Sequence, residues 1–273
     1  MKVNKVRLDI LLVERGLCET REKAKRAVMA GLVYSETLRL DKPGVKVNDD
    51  IPLTVKGNVM PYVGRGGLKL EKALAYFNLD ITGRTMLDIG SSTGGFTDCA
   101  LMNGIKLSYA LDVGYNQLAW KLRNDPRVIV MERTNFRHAT PALFIKGLPD
   151  FVTIDVSFIS LRLIMPPLKD ILVMNGDAIV LIKPQFEAGK SQVGKKGIVR
   201  DMAVHRDVLE RTLTFMMAEG FSILDLTYSP ITGGDGNIEF LVHIKRTEKN
   251  ETIADWPELI EKTIVDAHQS LSK

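Results

Sequence analysis

Cysteine is scarce: Cys18 and Cys99 are the only two in 273 residues. Two thiols cannot staple a secreted scaffold and read as free. The four histidines, His138, His205, His243 and His268, show no metal-ligand spacing with them, so no structural metal is expected. Long apolar runs are also missing. None approaches the roughly 18–20 residues of a membrane span. The opening Met1-Lys2-Val3-Asn4-Lys5 leads into an amphipathic stretch holding Asp9 and Glu14, unlike a secretory leader. These absences point to a cytoplasmic protein without membrane contact. What is present is ordinary for a globular chain, with 45% hydrophobic and 26% charged residues, and the length suits two domains.

The charge is uneven. Residues 1–60 carry 12 Lys and Arg against 8 Asp and Glu, whereas residues 61–273 carry 25 of each. A basic front module that meets a polyanion, joined to a balanced body, is the implied arrangement. Leu8, Leu11, Leu12, Val13 and Leu17 have helical spacing that stops near Gly16. Thr20 can cap a second helix, Arg21 to Ala30, ending at Gly31. Lys42-Pro43-Gly44 reads as a turn before a β-like Val45–Ile51. Arg7-Leu8-Asp9, Gly16-Leu17, Thr20-Arg21, Ala24, Gly31-Leu32-Val33, Lys42-Pro43 and Asp50-Ile51 occur in an order that resembles the S-four RNA-binding domain. The resemblance implies that the second helix lies against RNA phosphates, with Arg21, Lys25 and Arg26 as contacts beside Arg7.

From residue 84 strand and helix patterns alternate. Strands are expected at Thr85–Ile89, Leu107–Leu111, Val128–Met131, Phe151–Ile154, Ala178–Ile182, Phe221–Tyr228 and Ile238–Ile244. Helices are expected at Asn116–Arg123 and Ala203–Ala218, and a terminal amphipathic helix within 249–273. Such alternation argues for an α/β, doubly wound, mostly parallel sheet. The link Ser229–Asn237 has no helical pattern, so a hairpin with an antiparallel last strand is expected, as in class I methyltransferases. That makes a seven-stranded Rossmann-like sheet behind a small α+β domain. The expected boundaries are 1–60, 61–250 and a C-terminal helix in 251–273 packed on the body.

The first strand runs into Asp88-Ile89-Gly90-Ser91-Ser92-Thr93-Gly94-Gly95-Phe96. Glycines there let the backbone turn sharply and approach a ligand closely. Asp112, 22 residues after Gly90, ends the next strand where an acid can accept hydrogen bonds from ribose hydroxyls. Asp88 precedes the first glycine, and its carboxylate would repel a pyrophosphate but suit a sulfonium and an ammonium. S-adenosylmethionine is therefore the expected cofactor, along Asp88, Gly90, Ser91, Gly94, Gly95, Asp112 and Asp155, with adenine near Asn135. Three charged residues fall at strand ends: Asp155, Lys183 and Glu239. Lys69 lies on a helix entering the domain. A partly desolvated lysine beside other cations can take the proton of a ribose 2′-hydroxyl, and a carboxylate can orient it.

Tyr62-Val63-Gly64-Arg65-Gly66-Gly67-Leu68-Lys69-Leu70, the glycine turn, Asp155-Val156-Ser157-Phe158-Ile159-Ser160, Lys183-Pro184-Gln185-Phe186-Glu187 and Gly197-Ile198-Val199-Arg200-Asp201 complete the pattern. Together they resemble the TlyA family of haemolysin-named rRNA 2′-O-methyltransferases, whose catalytic domain is similar to FtsJ. The resemblance implies a Lys-Asp-Lys-Glu tetrad at Lys69, Asp155, Lys183 and Glu239, and cytidine 2′-hydroxyls of ribosomal RNA as targets. The joining segment Lys56 to Tyr62 lacks the Trp that family members have there. Gly189–Gly197 is polar and glycine-rich. It is expected to be a mobile loop whose Lys195 and Lys196, with Arg65 elsewhere, touch RNA phosphates. Three other activities compete with this one: a membrane-active haemolysin, a non-catalytic RNA-binding assembly factor, and a pseudouridine synthase, whose motif Arg7-Leu8-Asp9 superficially echoes. The missing membrane signals, the complete tetrad and the cofactor turn speak against each in that order.

Overall fold

A computed structural model describes residues 5–57, 60–194, 196–248 and 256–271. Lys195, the start of the expected C-terminal segment and part of the joining segment lie outside the described residues. The chain forms two compact units, Met1–Pro61 and Tyr62–Lys273.

The first unit opens with β1 (Lys5–Arg7), α1 (Leu8–Glu14) and α2 (Arg21–Met29). The Thr20 hydroxyl accepts a hydrogen bond from Lys23 N–H and caps α2, as its position suggested. The strands β2 (Val33–Ser35), β3 (Leu38–Arg39), β4 (Lys46–Asn48) and β5 (Thr54–Val55) follow. β1 pairs antiparallel with β4, and β2 lies between β3 and β5. The expected Val45–Ile51 strand is shortened to β4 because the chain turns at Asp49 and Asp50. Leu8, Leu12, Ala24, Ala27, Val28 and Val33 form its core.

The second unit holds α3 (Gly67–Tyr76), β6 (Thr85–Ile89), α4 (Gly95–Met102), β7 (Leu107–Leu111), α5 (Trp120–Arg123) and β8 (Val128–Met131). After them come β9 (Phe151–Ile154), α6 (Met165–Ile171), β10 (Asp177–Ile182), α7 (Pro184–Glu187) and α8 (Met202–Ala218). The unit ends with β11 (Phe221–Tyr228), β12 (Phe240–Arg246) and α9 (Trp256–Leu271). The sheet order is β11-β12-β10-β9-β6-β7-β8, parallel except that β12 runs antiparallel to both neighbours.

Two expectations change in detail. Asn116–Arg123 is helical only over α5, because Asn116 has φ +57° and the Gln117 and Leu118 amides donate to Glu132 rather than to helix carbonyls. The last strand begins at Phe240, since Asn237 to Glu239 serve the preceding loop.

Side-chain alternation divides the sheet into two faces. Ala178, Val180 and Ile182 join the core under α6, α8 and α9 with Leu168, Val208 and Ile264. Ile179 and Leu181 join the opposite core under α3 and α4, with Leu70, Cys99, Met86, Phe151 and Leu241. Continuing this alternation past the strand ends puts residues 155, 183 and 239 on the α3 side.

Candidate active site

The strand register brings those ends together. Ile154 pairs with both Ile89 and Val180, and Ile182 pairs with Phe240. Asp155, Lys183 and Glu239 therefore emerge beside one another, facing Lys69 on the first turn of α3. Lys69 Nζ lies 3.1 Å from Asp155 Oδ2 and 2.8 Å from Glu239 Oε2. Lys183 Nζ lies 2.6 Å from Asp155 Oδ1 and 3.0 Å from Ser157 Oγ. The four charges alternate in a row: Glu239, Lys69, Asp155, Lys183.

The row is largely withdrawn from water; Lys69, Lys183 and Glu239 are each under 9% exposed. Burial alone would lower the Lys69 pKa, but the carboxylates of Asp155 and Glu239 outweigh it and hold the ammonium above its ordinary range. Burial likewise pushes Asp155 up, and the two lysines more than reverse it. Lys69 is thus a fixed cation and Asp155 a fixed anion at neutral pH.

The glycine turn lies next to this row. Gly90 has φ +84°, and a Cβ there would come within 2.3 Å of the Asp155 carbonyl oxygen. Only glycine allows this approach. The Gly94 amide donates to the Ser91 carbonyl at 2.7 Å, closing the turn into α4, which starts at Gly95. Asp112, just past β7, accepts from the amides of Ser92 (2.8 Å) and Gly114 (2.7 Å), so its carboxylate is held in place.

Asp88 lies inside β6, within the span expected for that strand, and it is 1% exposed. Thr97 N–H and Oγ1–H donate to Oδ2, and Thr153 Oγ1–H donates to Oδ1. Burial pushes its pKa up to about 6 against these hydrogen bonds, which leaves it mostly ionised at neutral pH. Its hydrogen bonds hold the carboxylate in place where it lines the smaller cavity.

Two adjoining cavities share Gly90 and Asp155. One, of about 180 Å³, is lined by Arg65, Lys69, Asp88, Ser91 and Gly95. The other, of about 340 Å³, is lined by Asp112, Asn135, Phe136, Val156, Ser157 and Phe158. Asn135 Oδ1 accepts from the Arg137 amide, which fixes its side chain at that wall.

Sequence reasoning missed Ser157 and Phe158. Both sit in a quoted motif, but their special features are tertiary: the lysine contact of Ser157, and a Phe158 that is 90% exposed with φ +62°. An aromatic ring so exposed at the rim of a cavity, with only the Phe186 ring 5.0 Å away beside it among the described aromatic pairs, is suited to stacking.

The RNA-contact candidates are scattered. In the first unit Arg7 and Arg21 both donate to Asp9, which is 0% exposed; the hydrogen bond from Arg7 leads in holding its pKa down at about 2. Both arginines are thus engaged by one buried carboxylate within the first unit. Lys25 pairs with Glu22 at 2.8 Å, and Arg26 donates to the Pro61 carbonyl. In the second unit Arg65 is exposed at the mouth of the smaller cavity, and Lys196 is exposed beyond the 3₁₀ turn Lys190–Gln192.

A parallel sheet with one antiparallel strand, a glycine turn after the first strand of the unit and an acid after the second define a class I methyltransferase. The chain belongs to the FtsJ-like methyltransferase family, whose pattern matches residues 62–246, and it carries an S4 domain at residues 6–50. It is 63% identical, over 100% of its length and 98% of the relative, to YqxC of Bacillus subtilis, which is named as an rRNA methyltransferase. It is 40% identical, over 92% of this chain and 93% of the relative, to the 16S/23S rRNA (cytidine-2′-O)-methyltransferase TlyA of Mycobacterium tuberculosis. A solved structure from Streptococcus thermophilus, called a hemolysin, is similar with a TM-score of 0.77 and 53% identity, covering 98% of this chain and 97% of that one. Among the described residues no helix is long and apolar enough to cross a membrane.

Proposed function

We propose that the protein transfers the methyl group of S-adenosylmethionine to a cytidine ribose 2′-hydroxyl in ribosomal RNA, in the cytoplasm. The observation that carries this reading is the alternating row Glu239–Lys69–Asp155–Lys183, whose Lys69 and Asp155 line the smaller of the two joined cavities and whose Asp155 also lines the larger. The names of the relatives support the substrate.

The cavities fit the cofactor. Gly90, where no Cβ is tolerated, and Ser91, Gly94 and Gly95 would cradle its amino-acid end above the negative field of Asp88. Asp112 would hold the ribose, and Asn135 with Phe136 would border the adenine. When bound, S-adenosylmethionine supplies an electrophilic methyl group on a sulfonium.

A ribose hydroxyl is a weak nucleophile and must lose its proton as it attacks. In its unprotonated form Lys183 takes that proton at Nζ and becomes an ammonium. Asp155, 2.6 Å away, aims the amine and stabilises the ammonium that forms. Lys69 remains charged between Asp155 and Glu239, keeping Asp155 in place. The target nucleotide leaves its stack to reach this depth, with Phe158 as a face for its base. Residues 1–60 dock the RNA, and Lys195 and Lys196 add phosphate contacts.

The test is tritium transfer from labelled S-adenosylmethionine to purified ribosomal subunits, with mapping of the modified nucleotide. Label on a cytidine 2′-hydroxyl is expected. Lys183→Ala should abolish transfer, a loss of 10²-fold or more for a general base, with cofactor affinity kept in calorimetry. A fully active variant would remove Lys183 from the mechanism. No label on any RNA, with cofactor bound, would make the protein an RNA-binding assembly factor instead.

A further inference from the structure

A third cavity of the second unit, about 660 Å³, lies apart from the two just described except at Arg65. Its walls come from three places: Ile198–Arg200 before α8, Ile231–Ile238 between β11 and β12, and the end of α9 at His268, Ser270 and Leu271. Arg65 lines both this cavity and the smaller reaction cavity, so the two meet at its guanidinium.

The cavity is built rather than incidental. Asn237, 1% exposed, staples two of its walls: its Oδ1 accepts from the Val199 amide at 2.9 Å and its Nδ2–H donates to the Gly197 carbonyl at 2.9 Å. The Gly233 amide donates to the Asn237 carbonyl at 2.8 Å, closing the loop that leads into Glu239. A Cβ at Gly234 would lie 3.7 Å from an Arg65 amino nitrogen, so Arg65 leans on the same loop.

Its chemistry is mixed in a specific way. Ile198, Ile231 and Ile238 supply an apolar wall, and Thr232 and Ser270 supply hydroxyls. Arg65 and Arg200 stand at it with no carboxylate partner among the described residues. Unpaired guanidiniums beside an apolar wall suit a phosphodiester joined to an unstacked base. The volume lies within the roughly 300–1,000 Å³ of small-ligand sites, enough for one nucleotide.

We propose that this cavity holds the nucleotide next to the one that is methylated. Arg65 and Arg200 take the intervening phosphate, and the base lies against Ile198, Ile231 and Ile238. The end of α9 is then part of the RNA site and not only core packing. This rests on the methyl-transfer reading above, because the shared Arg65 ties the cavity to that site.

The full-length protein, loaded with S-adenosylhomocysteine, is cross-linked by ultraviolet light to purified ribosomal subunits, and the adducts are mapped by mass spectrometry. Nucleotide adducts are expected on peptides spanning 196–200, 229–238 or 265–271. Ile231→Trp, which fills the cavity, should raise the KM for subunits about tenfold, equivalent to about 1.4 kcal/mol, with kcat and cofactor affinity within about twofold. Arg200→Ala should act in the same direction and Arg200→Lys should recover part of the loss. Thermal melting of each variant reports whether it folds, and Arg200→Ala, at an exposed position, carries the test if Ile231→Trp does not. Unchanged KM in Arg200→Ala with no nucleotide adduct on these peptides overturns the proposal, as does a ribosomal protein cross-linked there in place of RNA. If the subunits accept no methyl group yet adducts form in the cavity and Arg200→Ala weakens subunit binding, the methyl-transfer reading falls and takes with it the adjacency to a methylated nucleotide, leaving the cavity as a nucleotide site only.

Discussion

A buried charge is tolerated only while its partners remain, and Lys69 has two of them. Removing it leaves Asp155 and Glu239 near each other with no cation between them, and Glu239 is 2% exposed. Breaking such a pair from one side costs about 3–5 kcal/mol. Lys69→Met should therefore destabilise the second unit by about 3 kcal/mol in urea titration, beyond its effect on transfer. Adding Glu239→Gln removes one stranded carboxylate, so the double variant should be more stable than Lys69→Met alone. Strictly additive losses would mean that the two side chains do not share an ion pair. The arginines on Asp9 show a related division of labour. Arg7 and Arg21 neutralise a buried carboxylate in the first unit, so substituting either one perturbs the fold of that unit as well as its surface charge. Arg26, which binds only a carbonyl among the described residues, is the cleaner probe of RNA contact.

At the level of elements, α9 is attached to α8 through a pair of histidines. His205 is fully buried, and its Nδ1 lies 3.0 Å from Nε2 of His268. Burial first, and then the neighbouring His268, lower the His205 pKa to about 4; burial also lowers that of His268. The unfolded chain binds a proton near pH 6.5, so between about 6.5 and 4 it holds more protons than the folded one. Stability from this pair is full above pH 6.5 and declines as pH falls toward 4, by on the order of 3 kcal/mol. Amide exchange along α9 should accelerate between pH 7 and pH 5, after correction for intrinsic rates. His205→Leu should flatten that dependence; an equally steep one would show that other groups set it. The staple at Asn237 is a second element-level device. Asn237→Ala strands the Val199 amide and the Gly197 carbonyl, at a cost of about 1–3 kcal/mol. It should also raise protease sensitivity between Gly189 and Arg200 without altering cofactor affinity.

For the whole molecule, the charge imbalance gives a measurable signature. The net excess lies in residues 1–60, and RNA binding through phosphates weakens with salt in proportion to the contacts made. Lys25→Ala with Arg26→Ala should lower subunit affinity and reduce the salt slope by about 0.7–0.9 for each lost contact. S-adenosylmethionine affinity should not move. An unchanged slope would take α2 out of the RNA interface.

Local information was sufficient for most of the secondary structure. Apolar runs bounded by turns specified every strand of the large sheet to within two residues, and Thr20 and Gly31 marked the limits of α2. The missing helix link Ser229–Asn237 specified the hairpin, hence the antiparallel β12. Asn116–Arg123 misled because its spacing is helical while Glu132, distant in sequence, takes the amides of Gln117 and Leu118. The four members of the charged row could be named from motifs. That they touch depends on register between strands whose paired residues lie up to 68 apart in sequence, as Asp177 and Lys245 do, which no local pattern encodes. The setting of Asp88 is tertiary for the same kind of reason: its partners Thr97 and Thr153 come from neighbouring elements. The sequence by itself determined the elements, the glycine turn and the chemistry at the strand ends, because these follow from side-chain size, charge and backbone freedom. Only the tertiary structure decided which charges are buried together, which cations are already occupied, and where empty volume lies, because burial and pairing are properties of packed neighbours.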